Sequence, residues 1–346
     1  MSVDLPMWAK VGAQSLALLV VVGCRADSRV TPDERAPARS RGEAAEPAEA
    51  PSEPPPPSVS VPTRPTRFPP AAHVVGIGDV HGDLDATRRA LRLAGAIDET
   101  DRWIGGDLVV VQTGDQLDRG DDEQAILDLL ERLAEEAEAA GGALHVLIGN
   151  HEIMNVLGDL RYVTPGGFQD FEDVPDLRLD DPTLADVPPR ARARAAAFRP
   201  GGPYARLLAR RNTVVIVGDT VFAHGGVLPA HARRLDAINE GVRAWMAGAH
   251  ARPEEIVQEM MSPDSVVWTR AYGDEVDAST CRALEETLRT LGVSRMVVGH
   301  TVQKEGITSA CDEKVWRIDV GMARHYGGAP AVLVIEDGKA RVVGET

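Results

Sequence analysis

The chain has 346 residues, of which 43% are hydrophobic and 26% charged, with a formal net charge of −16 at pH 7. That length and apolar share suffice for one large core, or one core with a small insertion. So acidic a balance, with no basic patch interleaved with aromatic residues, argues against nucleic acid as a partner.

The first apolar run, Val11 to Val22, is about a dozen residues long and too short to span a bilayer comfortably. It ends in Val21-Val22-Gly23-Cys24, which resembles a bacterial lipobox with valine where leucine is more usual. Residues 1–24 are expected to be a lipoprotein-type signal and anchor; an uncleaved anchor, or a misassigned start with a chance cysteine, is the alternative. Residues 25–70 hold 12 of the 24 prolines and balance seven acidic residues with seven arginines, without apolar periodicity. Such a segment reads as a disordered, partly polyproline spacer. Together they place the folded part, residues 71–346, lipid-anchored through Cys24 in the cell envelope, facing the periplasm or cell surface, with membrane contact only through the lipid.

The folded part opens with a strand, His73 to Ile77, feeding Gly78-Asp79-Val80-His81-Gly82 and then a helix from about Asp85 to Ala96. Trp103 to Asp107 reads as a strand end and turn. Leu108 to Val111 is a buried strand leading to Gly114-Asp115-Gln116-Leu117-Asp118-Arg119-Gly120, after which Asp121-Asp122-Glu123 cap a long helix that stops at Gly141-Gly142. Val146-Leu147-Ile148 feeds Gly149-Asn150-His151-Glu152. Residues from about 164 to 202 are the least patterned and read as an insertion, a lid or wall over the site with a helical piece around Arg190 to Phe198. Its Arg190, Arg192, Arg194 and Arg199 either attract acidic substrate flanks or, on the simpler reading, pair with the aspartates before them.

A short β pair, Asn212 to Val217 and Thr220 to Ala223, aims His224 from Gly218-Asp219. Helices follow over Leu235 to Ala247 and Ala283 to Leu291; Met296 to Val298 leads into Gly299-His300, and Ala331 to Val343 is a hairpin with an Asp337-Gly338 turn. Strands outnumbering one sheet's needs, with helices between them, imply an α/β fold of two packed mixed sheets with helices outside.

Five polar, glycine-bearing turns after apolar runs thus collect Asp79, His81, Asp115, Asn150, His151, His224 and His300. Taken singly, a histidine is more often structural, but five such turns in one chain reverse that expectation. A mixed set of carboxylates, imidazoles and an amide exceeds the roughly four ligands of a simple zinc site. It suits two neighbouring divalent ions sharing a carboxylate.

With the three motifs GDVHG, GDQLDRG and GNHE in that order, the chain resembles the serine/threonine-type phosphoprotein phosphatase superfamily of calcineurin-like metallophosphoesterases, most closely its bacterial Shewanella-like branch. The resemblance runs over nearly all of Val74 to Val343 and includes Leu160 to Gly166, Val267-Trp268-Thr269-Arg270, and Cys311-Asp312 leading to Trp316 to Met322. It implies the four-layer αββα architecture. It also implies that Asp79, His81 and Asp115 hold one metal ion, that Asp115, Asn150, His224 and His300 hold another, and that Asp115 bridges them. Manganese is the expected metal, with iron or zinc as alternatives.

By the same resemblance His151 is the general acid oriented by Asp118, and Arg119 clamps the phosphate. Arg270 is a candidate second phosphate-binding arginine and Arg161 a weaker one; for Arg270 the alternative is stacking on Trp268 or a surface ion pair. The implied reaction is phosphomonoester hydrolysis on a protein, foremost phosphotyrosine or aryl phosphates, by in-line attack of a metal-activated water. One alternative is action on phosphodiesters or dinucleoside polyphosphates, whose enzymes tend to lack Asp118 and Arg119 and to carry aspartate in place of Glu152. The other is a tethered binding module with a decayed site, against which every expected ligand is intact. The cysteine-bearing C-terminal loop of the eukaryotic enzymes is missing, so no regulatory subunit is expected. With Cys24 lipidated, Cys281 and Cys311 remain, and an oxidising compartment permits a disulfide between them; the alternative is two lone buried thiols.

Overall fold

The structure, a computed structural model, describes residues 61, 63–250 and 252–345. The Val21 to Cys24 run and most of the proline-rich spacer lie outside the described residues. In chain order the strands are β1 (Arg67–Phe68), β2 (His73–Ile77), β3 (Val109–Gln112), β4 (Ala143–Val146), β5 (Val214–Val217), β6 (Thr220–Ala223), β7 (Arg295–Val298), β8 (Thr308–Ala310), β9 (Val315–Arg317), β10 (Ala331–Glu336) and β11 (Lys339–Gly344). The helices are α1 (Leu84–Leu93), α2 (Glu123–Ala139), α3 (Asn150–Leu157), α4 (Pro165–Gln169), α5 (Arg192–Phe198), α6 (Pro203–Leu208), α7 (Leu235–Met246), α8 (Pro253–Met260) and α9 (Ala278–Leu291).

Strands that read as unbroken apolar runs are buried on both faces, and the packing shows why. In β2 and β3, Val74 and Val111 point into a layer shared with Val215, Phe222 and Val297 of the other sheet and with Ile318 just after β9. Their neighbours Val75, Ile77 and Val110 point outward onto Ala90 and Leu91 of α1 and Ile126 and Leu130 of α2. The outer face of the second sheet is covered by α3 and α5 to α9. Three apolar layers between four structural layers give the αββα arrangement.

One sheet runs β11-β10-β2-β3-β4 and the other β1-β5-β6-β7-β9-β8. Within the first, β2, β3 and β4 are parallel, pairing Val75 with Val110 and Val110 with Leu144. Within the second, β6, β7 and β9 are parallel, pairing Phe222 with Val297 and Val297 with Trp316. Six strands therefore deliver their C-terminal ends in two sets, one from each sheet, and ligands gather beyond such ends.

Several boundaries differ from the sequence reading. The end of the expected spacer is built into the fold: β1 pairs parallel with β5, and Asn212 Nδ2 and Asn239 Nδ2 donate to Pro65 O and Thr66 Oγ1 at 2.9 and 3.0 Å. The backbone there gains partners that composition does not reveal. Helix α9 begins at Ala278, not Ala283, because Asp277 caps it by accepting from the N–H groups of Ser279 and Thr280. Helices α6 and α8 go unanticipated; each is short and opens on a proline, which suits a first helical turn. Cys281 on α9 and Cys311 after β8 are disulfide-bonded, with Cα atoms 5.4 Å apart. Among the described residues no helix is long and apolar enough to cross a membrane.

Candidate active site

The turns after β2, β3, β4, β6 and β7 converge, and Asp79, His81, Asp115, Asn150, His151, His224 and His300 are all buried. Two clusters, His81 with Asp115 and His151, and Asp115 with His224 and His300, each bring their potential ligand atoms within 4.8 Å of one another. Asp115 belongs to both. Its Oδ2 lies 3.3 Å from His224 Nε2, 3.7 Å from His81 Nε2 and 3.8 Å from His151 Nε2. Asp79 Oδ2 lies 3.9 Å from His81 Nε2, and Asn150 Oδ1 lies 2.9 Å from His224 Nε2.

Backbone carbonyls set the tautomers of three of these rings. His81 Nδ1 donates to Leu117 O at 3.0 Å, His224 Nδ1 to Thr113 O at 3.0 Å, and His300 Nε2 to Trp268 O at 3.1 Å. Each ring's other nitrogen then carries a lone pair, and those of His224 and His300 stand 3.1 Å apart. Two facing lone pairs repel unless a cation or proton sits between them, and a carbonyl bond behind a ring is the usual support of a metal-ligating histidine. Burial lowers the His81 pKa to about 3, and burial together with His224 lowers that of His300.

The carboxylates tell the same story. Burial, then repulsion from Asp319 and Asp115, raises Asp79 well above its ordinary value, and burial raises Asp319 to about 6. Burial also opposes ionisation of Asp115, but the surrounding His224, His151 and His81 outweigh it and hold Asp115 well below the ordinary range. Buried acids crowded against one another, facing unprotonated imidazole nitrogens, fit divalent cations.

The motif glycines and Glu152 hold these side chains in place. A Cβ on Gly149 would overlap Asp115 Oδ1, and one on Gly299 would overlap Asp79 Oδ1. The Glu152 carboxylate accepts from the N–H groups of Gly149, Asp115, Gln116 and Leu117 at 2.7 to 3.2 Å, tying the second motif to the third. His81, Asp115, Asp118, Arg119 and His300 all have φ between 41° and 68°, left-handed conformations that non-glycine residues keep only when such bonds enforce them.

His151 differs from the other rings. Its Nδ1 meets a carboxylate, Asp118 Oδ2, at 2.5 Å. Burial disfavours the imidazolium, yet Asp115 and Asp118 raise its pKa above the ordinary value. Arg119 Nη1 lies 3.0 Å from His81 Nε2 and bonds to the Tyr326 hydroxyl, and the guanidinium is 5.1 Å from the ring centres of both Tyr162 and Tyr326.

Arg270 neither stacks on Trp268 nor enters an ion pair among the described residues: its Nη1 donates to His300 O and Thr301 Oγ1, both at 3.0 Å, behind the His300 turn. Arg161 is bonded to Asp159 at 2.8 and 2.6 Å on the surface.

Sequence reasoning missed four contributors. Asp319, after β9, obeys the same rule as the motifs, an apolar run ending in an acid. Tyr326 carries no sequence signal. Glu123, read as a helix cap, is fully buried, and Arg194, read with the insertion's surface arginines, is fully buried against it.

The family described as calcineurin-like phosphoesterase matches residues 72–304. Among curated proteins the chain is 43% identical to Shewanella-like protein phosphatase 2 of Arabidopsis thaliana, covering 80% of this chain and 79% of that one. It is 31% identical to Shewanella-like protein phosphatase 1 of Plasmodium berghei, covering 78% and 73%. A solved structure, the cold-active protein-tyrosine phosphatase of a psychrophilic Shewanella species, superposes with a TM-score of 0.64 at 26% identity, covering 81% of this chain and 82% of that one. With that match and the converging motif turns, the chain belongs to the calcineurin-like phosphoesterase family and is a metal-dependent phosphatase.

Proposed function

We propose that this phosphatase hydrolyses phosphomonoesters on proteins, phosphotyrosine or aryl phosphates foremost, with His151 donating the proton to the leaving oxygen. The observation that carries the reading is the bond from His151 Nδ1 to Asp118, where the three neighbouring histidines use backbone carbonyls. A carboxylate partner favours the protonated ring and leaves Nε2 as an acid, whereas a carbonyl partner leaves a ligating lone pair. Two divalent ions held by Asp79, His81, Asp115, Asn150, His224 and His300, manganese foremost, would polarise the phosphate and activate the attacking water. Arg119 offers a planar fork to a pair of phosphate oxygens. Arg270 Nη1 is committed to the His300 turn, which leaves its remaining donors for the phosphate.

Tyr162 and Tyr326, 42% and 38% exposed beside Arg119, present aromatic faces next to the phosphate position, which suits an aryl group better than a bare methylene. The tyrosine phosphatase named among the structural relatives supports the same preference. Turnover of phosphotyrosine, phosphoserine and phosphothreonine peptides by the metal-loaded protein tests it. Phosphotyrosine should be fastest, and Tyr162→Ala should narrow the gap; faster phosphoserine turnover sinks the aryl preference.

For location we propose cleavage before Cys24 and lipid attachment there, on the cell envelope. The Cys281–Cys311 bond supports an oxidising compartment. Mass spectrometry of native protein decides the matter: an intact Met1 terminus or an unmodified Cys24 removes the anchor.

A further inference from the structure

The insertion reaches the acid pair from behind. Arg194, on α5, is 0% exposed, and all five of its guanidinium N–H donors have an acceptor. Nε donates to Asn155 Oδ1 at 2.8 Å, and Nη1 donates to Gly167 O at 2.8 Å and to Glu123 Oε2. Nη2 donates to Glu123 Oε1 at 3.1 Å and to Asp118 Oδ1 at 3.3 Å. Phe171 and Phe198 flank the guanidinium at 5.0 and 5.2 Å. Asp118 is therefore gripped at both oxygens: Oδ2 faces His151, while Oδ1 accepts from Arg194 and, at 3.0 Å, from Asn155 Nδ2.

We propose that Arg194 is a positioning residue for catalysis, fixing the plane of the Asp118 carboxylate so that His151 Nε2 stays aimed at the leaving oxygen. The proposal rests on the general-acid reading of His151. Two features separate it from an ordinary buried ion pair. Arg194 already satisfies Glu123 through two donors, so the bond to Asp118 is additional to that pair. Asn155 also links the network through three bonds, accepting from Arg194 Nε and donating to both Asp118 Oδ1 and His151 O, the last at 2.9 Å. Lysine has three donors at one point and cannot span Glu123, Gly167, Asn155 and Asp118 together.

The test compares Arg194→Gln and Arg194→Lys with His151→Asn in the full-length protein, reading metal content, circular dichroism, and kcat on phosphoserine peptide and on p-nitrophenyl phosphate. Arg194→Gln should keep two ions and lose about 10–100-fold on phosphoserine, part of the roughly 10²–10⁴-fold that a positioned general acid is worth. Its loss on p-nitrophenyl phosphate, whose leaving group hardly needs a proton, should be within about 3-fold. Arg194→Lys should show the same split, smaller. Equal losses on both substrates, or no loss, overturn the proposal. If Arg194→Gln does not fold, the lysine variant is read instead; failure of both to fold makes Arg194 purely structural and also overturns it. A split in His151→Asn without one in the Arg194 variants removes only this proposal, whereas no split in His151→Asn removes the general acid itself.

Discussion

Replacing His151 by asparagine tests the acid assignment most directly. The ring is fixed by a 2.5 Å bond to a buried carboxylate, and its backbone N–H donates separately to Asp115 Oδ1 at 3.0 Å. The substitution therefore removes the proposed proton donor while leaving the turn's main-chain tie to Asp115. A positioned general acid is worth roughly 10²–10⁴-fold. At 1.36 kcal/mol per decade that is about 3–5 kcal/mol of transition-state stabilisation. The full loss is expected on an alkyl phosphate such as phosphoserine, whose alkoxide is a poor leaving group. On p-nitrophenyl phosphate the loss should be clearly smaller. Asp118→Asn should give the same ordering less severely, because the ring remains while its charged partner goes. The assay is kcat on both substrates alongside elemental analysis. His151 Nε2 is 3.8 Å from Asp115 Oδ2, close enough that a lost ion would return His151 to the ligand set. Equal losses on the two substrates with both ions retained refute the general-acid reasoning.

Asp115→Asn should reduce metal content more than substitution of Asp79, Asn150 or His300, since Asp115 alone joins both clusters; a full complement of ions by elemental analysis contradicts its bridging role. Reducing the Cys281–Cys311 bond, which closes a separation of 30 residues, should destabilise the domain by about 3–4 kcal/mol in the simple loop-entropy picture, read as a lower denaturant midpoint. Two free thiols in the unfolded, unreduced protein would show that the bond does not form. Gly149→Ala forces a methyl against Asp115 Oδ1 and should cost about 1–3 kcal/mol with a lower melting temperature and weaker metal binding; an unchanged melting temperature counts against the tight fit.

The turns that carry the candidate metal ligands were legible because two physical requirements coincide in the local sequence. A strand covered on both faces must be apolar throughout, and a ligand beside a packed backbone needs glycine, so Val109 to Val111 before Gly114-Asp115 announces its own place in the fold. Asp319 follows the same rule after β9, but Arg317 interrupts the apolar run and hides it. Arg194 was not legible. Its neighbours Arg190, Arg192 and Arg199 make the local pattern that of a solvated helix, and Arg199 does pair with Asp181 at 2.5 Å as the simpler reading has it. What separates Arg194 from them is burial among Phe171, Phe198 and two carboxylates contributed by residues 71 and 76 positions away. No local sequence window holds that information.

The same long-range contact bears on why the insertion is there. Glu123 Oε1 accepts the Asp118 N–H, so two buried carboxylates belong to one hydrogen-bonded cluster. Burial raises the Glu123 pKa to about 7, with Arg194 acting in the opposite direction. Without a cation there, Glu123 would more readily stay protonated near neutral pH, and the buried Asp118 carboxylate would lose the guanidinium that faces it from behind. Breaking one partner out of a buried pair typically costs about 3–5 kcal/mol, a large share of a domain's net stability. The excursion expected to form a lid or wall over the site thus also sends one side chain, Arg194, into the buried cluster behind Asp118. Its helix α5 completes a chain of contacts that runs from Glu123 through Arg194 and Asp118 to His151, so loss of the Arg194 guanidinium should be felt at His151 as well as in stability.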